Sequence, residues 1–151
     1  MPGVLTGLFS TAELDAIVEL VEEAARRAPG SAHLAHGDFD VTPVFCVASR
    51  YIGLIDFGEI RGTEPEFDLG HFDLHDGETL ATLLLPALLR GYQQVRPLPA
   101  DHLQSIRRSA VLLGLRQLCR WLGPPRHRAL DHPAVTSRAQ RISELLARPA
   151  G

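Results

Sequence analysis

The chain has 151 residues, of which 45% are hydrophobic and 22% are charged, and its formal net charge is -3. These values predict one compact domain, residues 1–151, and exclude a disordered, strongly acidic or strongly basic chain. The weak negative charge gives no electrostatic reason to expect nucleic acid or an anionic membrane as a partner. Because the start has no signal-peptide pattern and no apolar stretch is long enough to cross a bilayer, we expect a cytoplasmic protein.

All 15 basic residues are arginine. The lack of lysine excludes every mechanism that needs a lysine amine, including a Walker-type phosphate loop and a Schiff base. The two cysteines, Cys46 and Cys119, lie far apart in the sequence and do not have metal-type spacing. We expect both to be buried free thiols in a reducing compartment.

The hydrophobic pattern predicts a helix at the start, a hairpin in the middle and helices at the end. The first helix is predicted at residues 11–27. Ser10 or Thr11 can cap it, and Glu13 would complete a capping box with Ser10. A short apolar run at 33–35 leads into a polar loop. The β-rich runs at 44–47 and 51–55 predict the hairpin, and a second polar loop spans 56–66. The helices that follow are predicted at residues 67–75, 77–95, 99–122 and 135–147.

Three acid-bearing clusters lie around the predicted hairpin: HGDFD at 36–40, IDFGE at 55–59 and EFDLG at 66–70. A hairpin of this length brings its two ends together, so we expect Asp38 and Asp56 to face one shared site. Two such carboxylates suit phosphoryl transfer. One can orient and deprotonate a hydroxyl, while the other binds Mg²⁺ on the nucleotide phosphates.

The order of these motifs resembles that of the aminoglycoside phosphotransferases and their choline kinase-like relatives, which share the protein kinase architecture. The matching segments are HGD at 36–38, IDFG at 55–58 and PEFDL at 65–69. The resemblance covers residues 12–122, and 123–151 form a C-terminal helical extension. It implies an α+β fold, a mainly helical kinase-like C-terminal lobe with a small β-hairpin. It also implies a phosphotransferase that uses ATP and Mg²⁺ to phosphorylate a small-molecule hydroxyl substrate.

The resemblance assigns roles to four residues of this chain. Asp38 matches the catalytic aspartate that accepts the proton of the substrate hydroxyl, and Asp56 matches the aspartate that binds Mg²⁺. Asp68 matches an aspartate that braces the catalytic loop from a helix. His36 matches a position that supports the loop from beneath, so we interpret it as structural.

Two departures from the family pattern affect the expected activity. The family usually has asparagine as a second metal ligand where this chain has Pro43, which offers no side-chain ligand. Asp40 and Thr42 are the nearest replacements. About 35 residues precede His36 and are predicted to form one helix, so the nucleotide-binding N-terminal lobe is expected to be absent. We therefore expect a truncated lobe that is inactive alone, with a second copy or a separate N-terminal lobe as a possible partner.

Two other functions remain open at this stage. One is a non-catalytic remnant or interaction module of the same fold. The other is a metal-dependent phosphohydrolase that uses His and Asp residues. The run 71–76 invites it, because His71 and His75 are four residues apart and could share a helical face. Interleaved apolar residues favour an ordinary, partly exposed helix there. Three charged residues after Asp56 fit either substrate contact or a solvated loop: Glu59, Arg61 and Glu64.

Overall fold

The computed structural model describes residues 5–26, 32–80 and 82–148. The chain divides into two compact units, one formed by Met1–Pro29 with Val111–Gly151 and the other by Gly30–Ala110. The helices are α1 Thr11–Arg26, α2 Phe67–His75, α3 Leu85–Val95, α4 His102–Leu122 and α5 Pro133–Ala147. The strands are β1 His33–Ala35, β2 Val44–Val47, β3 Arg50–Leu54 and β4 Arg61–Thr63, with a 3₁₀ turn at Phe57–Glu59.

The predicted hairpin is confirmed by the antiparallel pair β2–β3. Val44 pairs with Leu54, and Val47 pairs with Arg50 across the turn. Ala48 and Ser49 have φ angles of 48° and 62°. Two successive left-handed residues are typical of the tight turns whose twist matches that of a hairpin. The second strand therefore begins and ends one residue earlier than the predicted 51–55.

A second strand pair was not predicted. β1 and β4 pair antiparallel, with His33 opposite Thr63 and Ala35 opposite Arg61. β4 lies inside the segment that we predicted to be a polar loop. Ala35 directly precedes the first acidic cluster, and Arg61 follows the second. Because these two residues pair, both clusters are held at the same end of this small sheet.

The first unit contains α1, α5 and the C-terminal part of α4. Its capping box is confirmed: the Ser10 N–H donates to Glu13 Oε2 at 2.7 Å, and the Glu13 N–H donates to Ser10 Oγ at 3.4 Å. The hydrogen bond from the Ser10 hydroxyl is the main reason why the pKa of Glu13 lies below its usual value. The buried apolar side chains of this unit include Ile17, Val111, Leu118, Val135, Ile142 and Leu145.

Helix α3 begins at Leu85, whereas the prediction began it at residue 77. Gly77 has a φ of 92°, which interrupts helical geometry directly after α2. The buried carboxylate of Asp76 accepts hydrogen bonds from the N–H groups of Leu84 and Leu85, at 2.8 and 2.9 Å. Leu84 is the N-cap residue of α3 and Leu85 is its first residue, so an acid eight residues before the cap sets where the helix starts.

The core of the second unit forms between α2, α3 and the N-terminal part of α4. Its buried members are Leu69, Phe72, Leu85, Leu89 and Ile106. Phe39 and Val41, from the loop that carries Asp38, pack against this core. A Cβ at Gly70 would lie 2.5 Å from Ser109 Cβ, so glycine permits the close approach of α2 and α4. The loop is therefore anchored by apolar packing as well as by its polar contacts.

The prediction that both cysteines are buried is wrong, because Cys46 and Cys119 are exposed. Cys46 lies on the two-stranded hairpin, where most side chains on both faces are exposed. Cys119 follows the fully buried Leu118 on α4. One residue rotates a helix by about 100°, which carries Cys119 away from the buried face. Among the described helices, none combines the length and the apolar character that crossing a bilayer requires.

Candidate functional site

Asp68 holds the backbone immediately before Asp38. It lies in the first turn of α2, and its Oδ2 accepts a hydrogen bond from the His36 N–H at 2.7 Å. Its Oδ1 accepts a second hydrogen bond from the Gly37 N–H at 2.9 Å. Hydrogen bonds to an ionised carboxylate are among the strongest in proteins. One side chain on a rigid helix therefore fixes two consecutive peptide groups of the loop.

Gly37 brings the first acidic cluster against the second. Its φ of 91° lies in the left-handed region that side-chain-bearing residues avoid. A Cβ at this position would lie 2.0 Å from the carbonyl oxygen of Glu59. The loop can therefore approach the turn Phe57–Glu59 only because residue 37 has no side chain.

His36 connects the same two clusters from inside the unit. Its buried ring has Nε2 at 2.9 Å from the carbonyl oxygen of Ile55 and lies against Phe57, with 4.8 Å between ring centroids. A carbonyl only accepts, so Nε2 carries the proton of this hydrogen bond. The buried Nδ1 has no hydrogen-bond partner in the described part of the chain. The His36 ring is thus held against the backbone of Ile55, the residue before Asp56.

Asp56 is exposed and follows the hairpin directly. Its backbone is left-handed, with φ 63° and ψ 56°, and its side chain makes no capping hydrogen bond to the turn that follows. Aspartate tolerates this conformation better than most residues. The Ile55 N–H donates to the Pro43 carbonyl oxygen at 3.0 Å, so the two ends of the hairpin are hydrogen-bonded to each other.

The segment between Asp38 and the hairpin offers little to a second metal ion. Pro43 is buried, and its carbonyl oxygen accepts from Ile55. Asp40 Oδ1 accepts from both the N–H and the hydroxyl of Thr42, each at 2.6 Å. The two suggested replacements for the missing asparagine are therefore bonded to each other. Within the described ranges, no three His, Cys, Asp or Glu side chains cluster as a metal site would require.

Asp38 contacts a histidine that the sequence did not place in the site. Its exposed carboxylate has Oδ1 at 3.1 Å from Nε2 of His71, whose side chain is only 7% exposed. The other ring nitrogen, Nδ1, lies 3.1 Å from the Phe39 carbonyl oxygen. The sequence pattern favours a partly exposed helix here, with His71 and His75 as a metal pair the less favoured interpretation. The expectation of partial exposure is wrong, because residues 69–74 are buried. The spacing between Asp68 and His71 could have placed His71 in the site. Residues three apart on a helix share a face, so both side chains reach the same loop.

Burial sets the pKa of His71. Removal from water lowers the pKa most, and a charge on the stacked His75, 4.6 Å away between ring centroids, lowers it further. The Phe39 carbonyl and the carboxylates of Asp38 and Asp40 raise it, and the net pKa lies below the usual value. His75 in turn contacts the Glu78 carboxylate, with Nδ1 2.8 Å from Oε2.

The charged residues after Asp56 are largely used within the fold. Arg61 Nε donates to the Glu59 carbonyl oxygen at 3.0 Å, and the guanidinium forms an ion pair with the Glu59 carboxylate. The same guanidinium lies over the ring of Phe67, 5.4 Å from its centroid. Glu64 lines a cavity of about 280 Å³ in the second unit, together with His33, Tyr92 and Arg96.

The described geometry matches a known fold. The chain is similar to the crystal structure of a thermostable mutant of aminoglycoside phosphotransferase APH(4)-Ia in its apo form, with a TM-score of 0.60 and 18% sequence identity. The match covers 93% of this chain and 46% of that one, so the chain spans about half the length of its neighbour. No protein-family profile and no curated protein matches the sequence. The fold is accordingly α+β and kinase-like, a mainly helical partial lobe with a small hairpin.

Proposed function

We propose that this chain is the catalytic lobe of a small-molecule phosphotransferase that transfers a phosphoryl group from ATP to a hydroxyl acceptor. The observation that carries the proposal is the hydrogen-bonded connection between the three acidic motifs. Asp68 binds the N–H groups of His36 and Gly37, and His36 binds the carbonyl of Ile55. Asp38 and Asp56 therefore extend from neighbouring, braced backbone segments, and phosphoryl transfer depends mainly on such positioning.

Asp38 is the proposed catalytic base. Its side chain is 60% exposed, so a hydroxyl substrate can reach it. The carboxylate would orient the hydroxyl and take its proton as the hydroxyl oxygen forms a bond to phosphorus. The nucleoside diphosphate leaves with the electrons of the bond that breaks. His36 and Asp68 support this loop and do not touch the reacting atoms.

Asp56 is the proposed Mg²⁺ ligand, and its surroundings fit that role in part. Mg²⁺ is commonly held by one or two carboxylates together with substrate phosphates and water, and Asp56 offers an exposed carboxylate without a capping bond. Bound Mg²⁺ would neutralise charge on the nucleotide phosphates. The chain does not supply the expected second metal ligand, because Pro43 is buried and its side chain has no atom that could bind a metal ion. We therefore propose one metal-binding carboxylate in this chain.

The proposed partner is a nucleotide-binding lobe or a second copy of the chain, seated on the hairpin. Large apolar side chains on both strands are exposed: Phe45, Val47, Tyr51 and Ile52. An isolated two-stranded hairpin is only marginally stable in water, so a covering partner would stabilise it. Sedimentation velocity tests whether a second copy binds there. We expect the chain to dimerise and Tyr51→Ser to weaken the dimer. A protein that uses ATP and Mg²⁺ in this way fits a cytoplasmic location.

A second candidate is a non-catalytic module of the same fold. Two observations favour it: Pro43 stands where a metal-binding asparagine is expected, and the chain contains no lysine to bind nucleotide phosphates. This candidate needs the hydrogen bonds of Asp68 for folding but gives Asp38 and Asp56 no chemical task. It predicts that Asp38→Asn changes no activity in any assembly.

A fusion experiment separates the two candidates. The nucleotide-binding half of an aminoglycoside phosphotransferase is joined to this chain, with Pro43 or Pro43→Asn, and ATP consumption is measured over aminoglycosides, choline-like alcohols and sugars. The catalytic proposal predicts turnover that Pro43→Asn increases and Asp38→Asn abolishes. Asp131→Asn, at an exposed aspartate of the other unit, serves as the matched control. A folded fusion that binds ATP but shows no turnover supports the non-catalytic module.

A further inference from the structure

His71 lies between two hydrogen-bond acceptors. Its Nδ1 is 3.1 Å from the carbonyl oxygen of Phe39, and its Nε2 is 3.1 Å from Oδ1 of Asp38. Neither partner supplies a proton in its ordinary state, because a carbonyl oxygen and an ionised carboxylate only accept. Each contact therefore needs an N–H on the histidine.

The number of protons on the ring decides which contacts are hydrogen bonds. A neutral imidazole has one N–H and one bare nitrogen, so it can satisfy only one of the two acceptors. The other contact would then bring two lone pairs together at 3.1 Å. Both contacts are favourable together only when the pair holds a second proton, as an imidazolium beside the Asp38 carboxylate.

Exposure determines which contact survives when that proton leaves. The Asp38 side chain is 60% exposed, so water can replace the histidine at its carboxylate. The His71 ring is buried and its contact with the Phe39 carbonyl is partly buried, so an unmade hydrogen bond there is costly. The remaining proton should therefore stay on Nδ1, and Asp38 should lose its partner.

We propose that His71 is a positioning residue for Asp38, which holds the carboxylate through one exchangeable proton and releases it when that proton leaves. The catalytic meaning of this inference rests on the function proposed above, while the proton-dependent contact itself does not. In the bridged state, the carboxylate is fixed in place against the imidazolium. In the released state, Asp38 turns to the solvent side, where it can accept the proton of a hydroxyl.

The groups around His71 fit an exchangeable proton. The stacked His75 opposes a charge on the ring, as does burial, whereas Asp38, Asp40 and the Phe39 carbonyl favour it. His75 is itself in contact with the Glu78 carboxylate. These opposing influences leave the ring with a pKa below its usual value, so the proton leaves more readily than from an ordinary histidine.

The test is a nuclear magnetic resonance titration of the isotope-labelled full chain over pH about 4 to 9. Long-range nitrogen–proton spectra report the tautomer and the pKa of His71, and carboxyl carbon shifts report Asp38. We expect neutral His71 to carry its proton on Nδ1. We expect the Asp38 carboxyl signal to show an inflection at the pKa of His71, in addition to its own.

Three variants make the titration specific. Asp38→Asn should lower the pKa of His71, because the contacting carboxylate is lost. Asp40→Asn removes a nearby charge but keeps the acceptor oxygen that binds Thr42, so its effect should be smaller. His71→Gln offers amide donors that do not titrate, and the extra inflection at Asp38 should disappear. If His71→Gln fails to fold, Asp38→Asn still provides the decisive measurement on the histidine.

Two results would overturn the inference. One is a neutral His71 that carries its proton on Nε2, because it would then keep Asp38 bound at high pH. The other is a His71 pKa that Asp38→Asn leaves unchanged. None of these measurements requires nucleotide, acceptor or turnover. A confirmed proton-dependent contact in a chain whose fusion shows no turnover would refute the proposed function and leave this inference standing.

Discussion

The carboxylate of Asp68 lies 2.7 Å from the backbone nitrogen of His36, 32 residues earlier in the chain. Asp68→Asn keeps one acceptor oxygen but turns an amide NH₂ toward the other backbone N–H. Leaving that N–H unpaired should lower the free energy of unfolding by about 1–3 kcal/mol, measured by urea denaturation. The control Asp131→Asn should change it by less than about 0.5 kcal/mol. Equal stability of the two variants would mean that the brace contributes nothing.

Gly37→Ala should damage the loop more than an ordinary glycine substitution. The left-handed backbone costs a side-chain-bearing residue about 1–3 kcal/mol, and the new Cβ would overlap the Glu59 carbonyl. Gly53→Ala on β3 is the matched control, because a Cβ there has no atom within 4 Å. Thermal unfolding should show a large loss for the first variant and almost none for the second. A similar melting temperature for both would contradict the close approach at Gly37.

The depressed pKa of His71 predicts a loss of stability in mild acid. An unfolded histidine takes up a proton as the pH falls through about 6.5, while the folded ring resists protonation. The unfolded state therefore binds more protons, and the free energy of unfolding should fall from about pH 7 down to the folded pKa. His71→Phe should flatten this dependence in urea denaturation at several pH values. The exposed His127, changed to asparagine, should leave it intact.

The secondary structure could be predicted where the signal is local. The capping box of Ser10 and Glu13 and the hairpin depend on residues a few positions apart, and the helix over 67–75 has the predicted bounds. The start of α3 could not be predicted. It depends on Asp76, which binds the N–H groups of Leu84 and Leu85 across a non-helical turn. The pairing of β1 with β4 also escaped, because three residues are too few for a recognisable alternation.

The candidate site was predictable only in outline. The three motifs and the hairpin indicated that residues 36–40 and 55–59 lie near each other. The His36 ring contacts the Ile55 carbonyl oxygen, and the Ile55 N–H donates to the Pro43 carbonyl oxygen. His71 was missed because the interleaved apolar residues favoured an ordinary, partly exposed helix, whereas the segment 69–74 is buried. Its contact with Asp38 depends on the direction of α2 relative to the loop, which sequence spacing alone does not define.

The chain alone should show little or no ATP-dependent phosphoryl transfer. It has no lysine to bind the nucleotide phosphates, and Pro43 leaves the second metal position without a side-chain ligand. Loss of one charge-stabilising group costs about 10²–10³ in rate, and here several are missing. An ATP-consumption assay on the purified chain over several hydroxyl acceptors checks this. Robust turnover that disappears in Asp38→Asn would make the chain a complete enzyme and this prediction wrong.

We expect Asp38 and Asp56 to form one site, with carboxylates on the order of 4–8 Å apart, close enough to serve one metal–phosphate group. Paramagnetic broadening by Mn²⁺ in the presence of ATP, recorded on the fusion with the nucleotide-binding half, measures this most directly, because the effect falls steeply with distance from the bound ion. We predict that Mn²⁺ broadens the signals of both aspartates together and that Asp56→Asn removes the effect at both, while Asp131→Asn does not. Broadening at Asp56 that leaves Asp38 sharp, or the same broadening after Asp56→Asn, would contradict a shared phosphotransferase site.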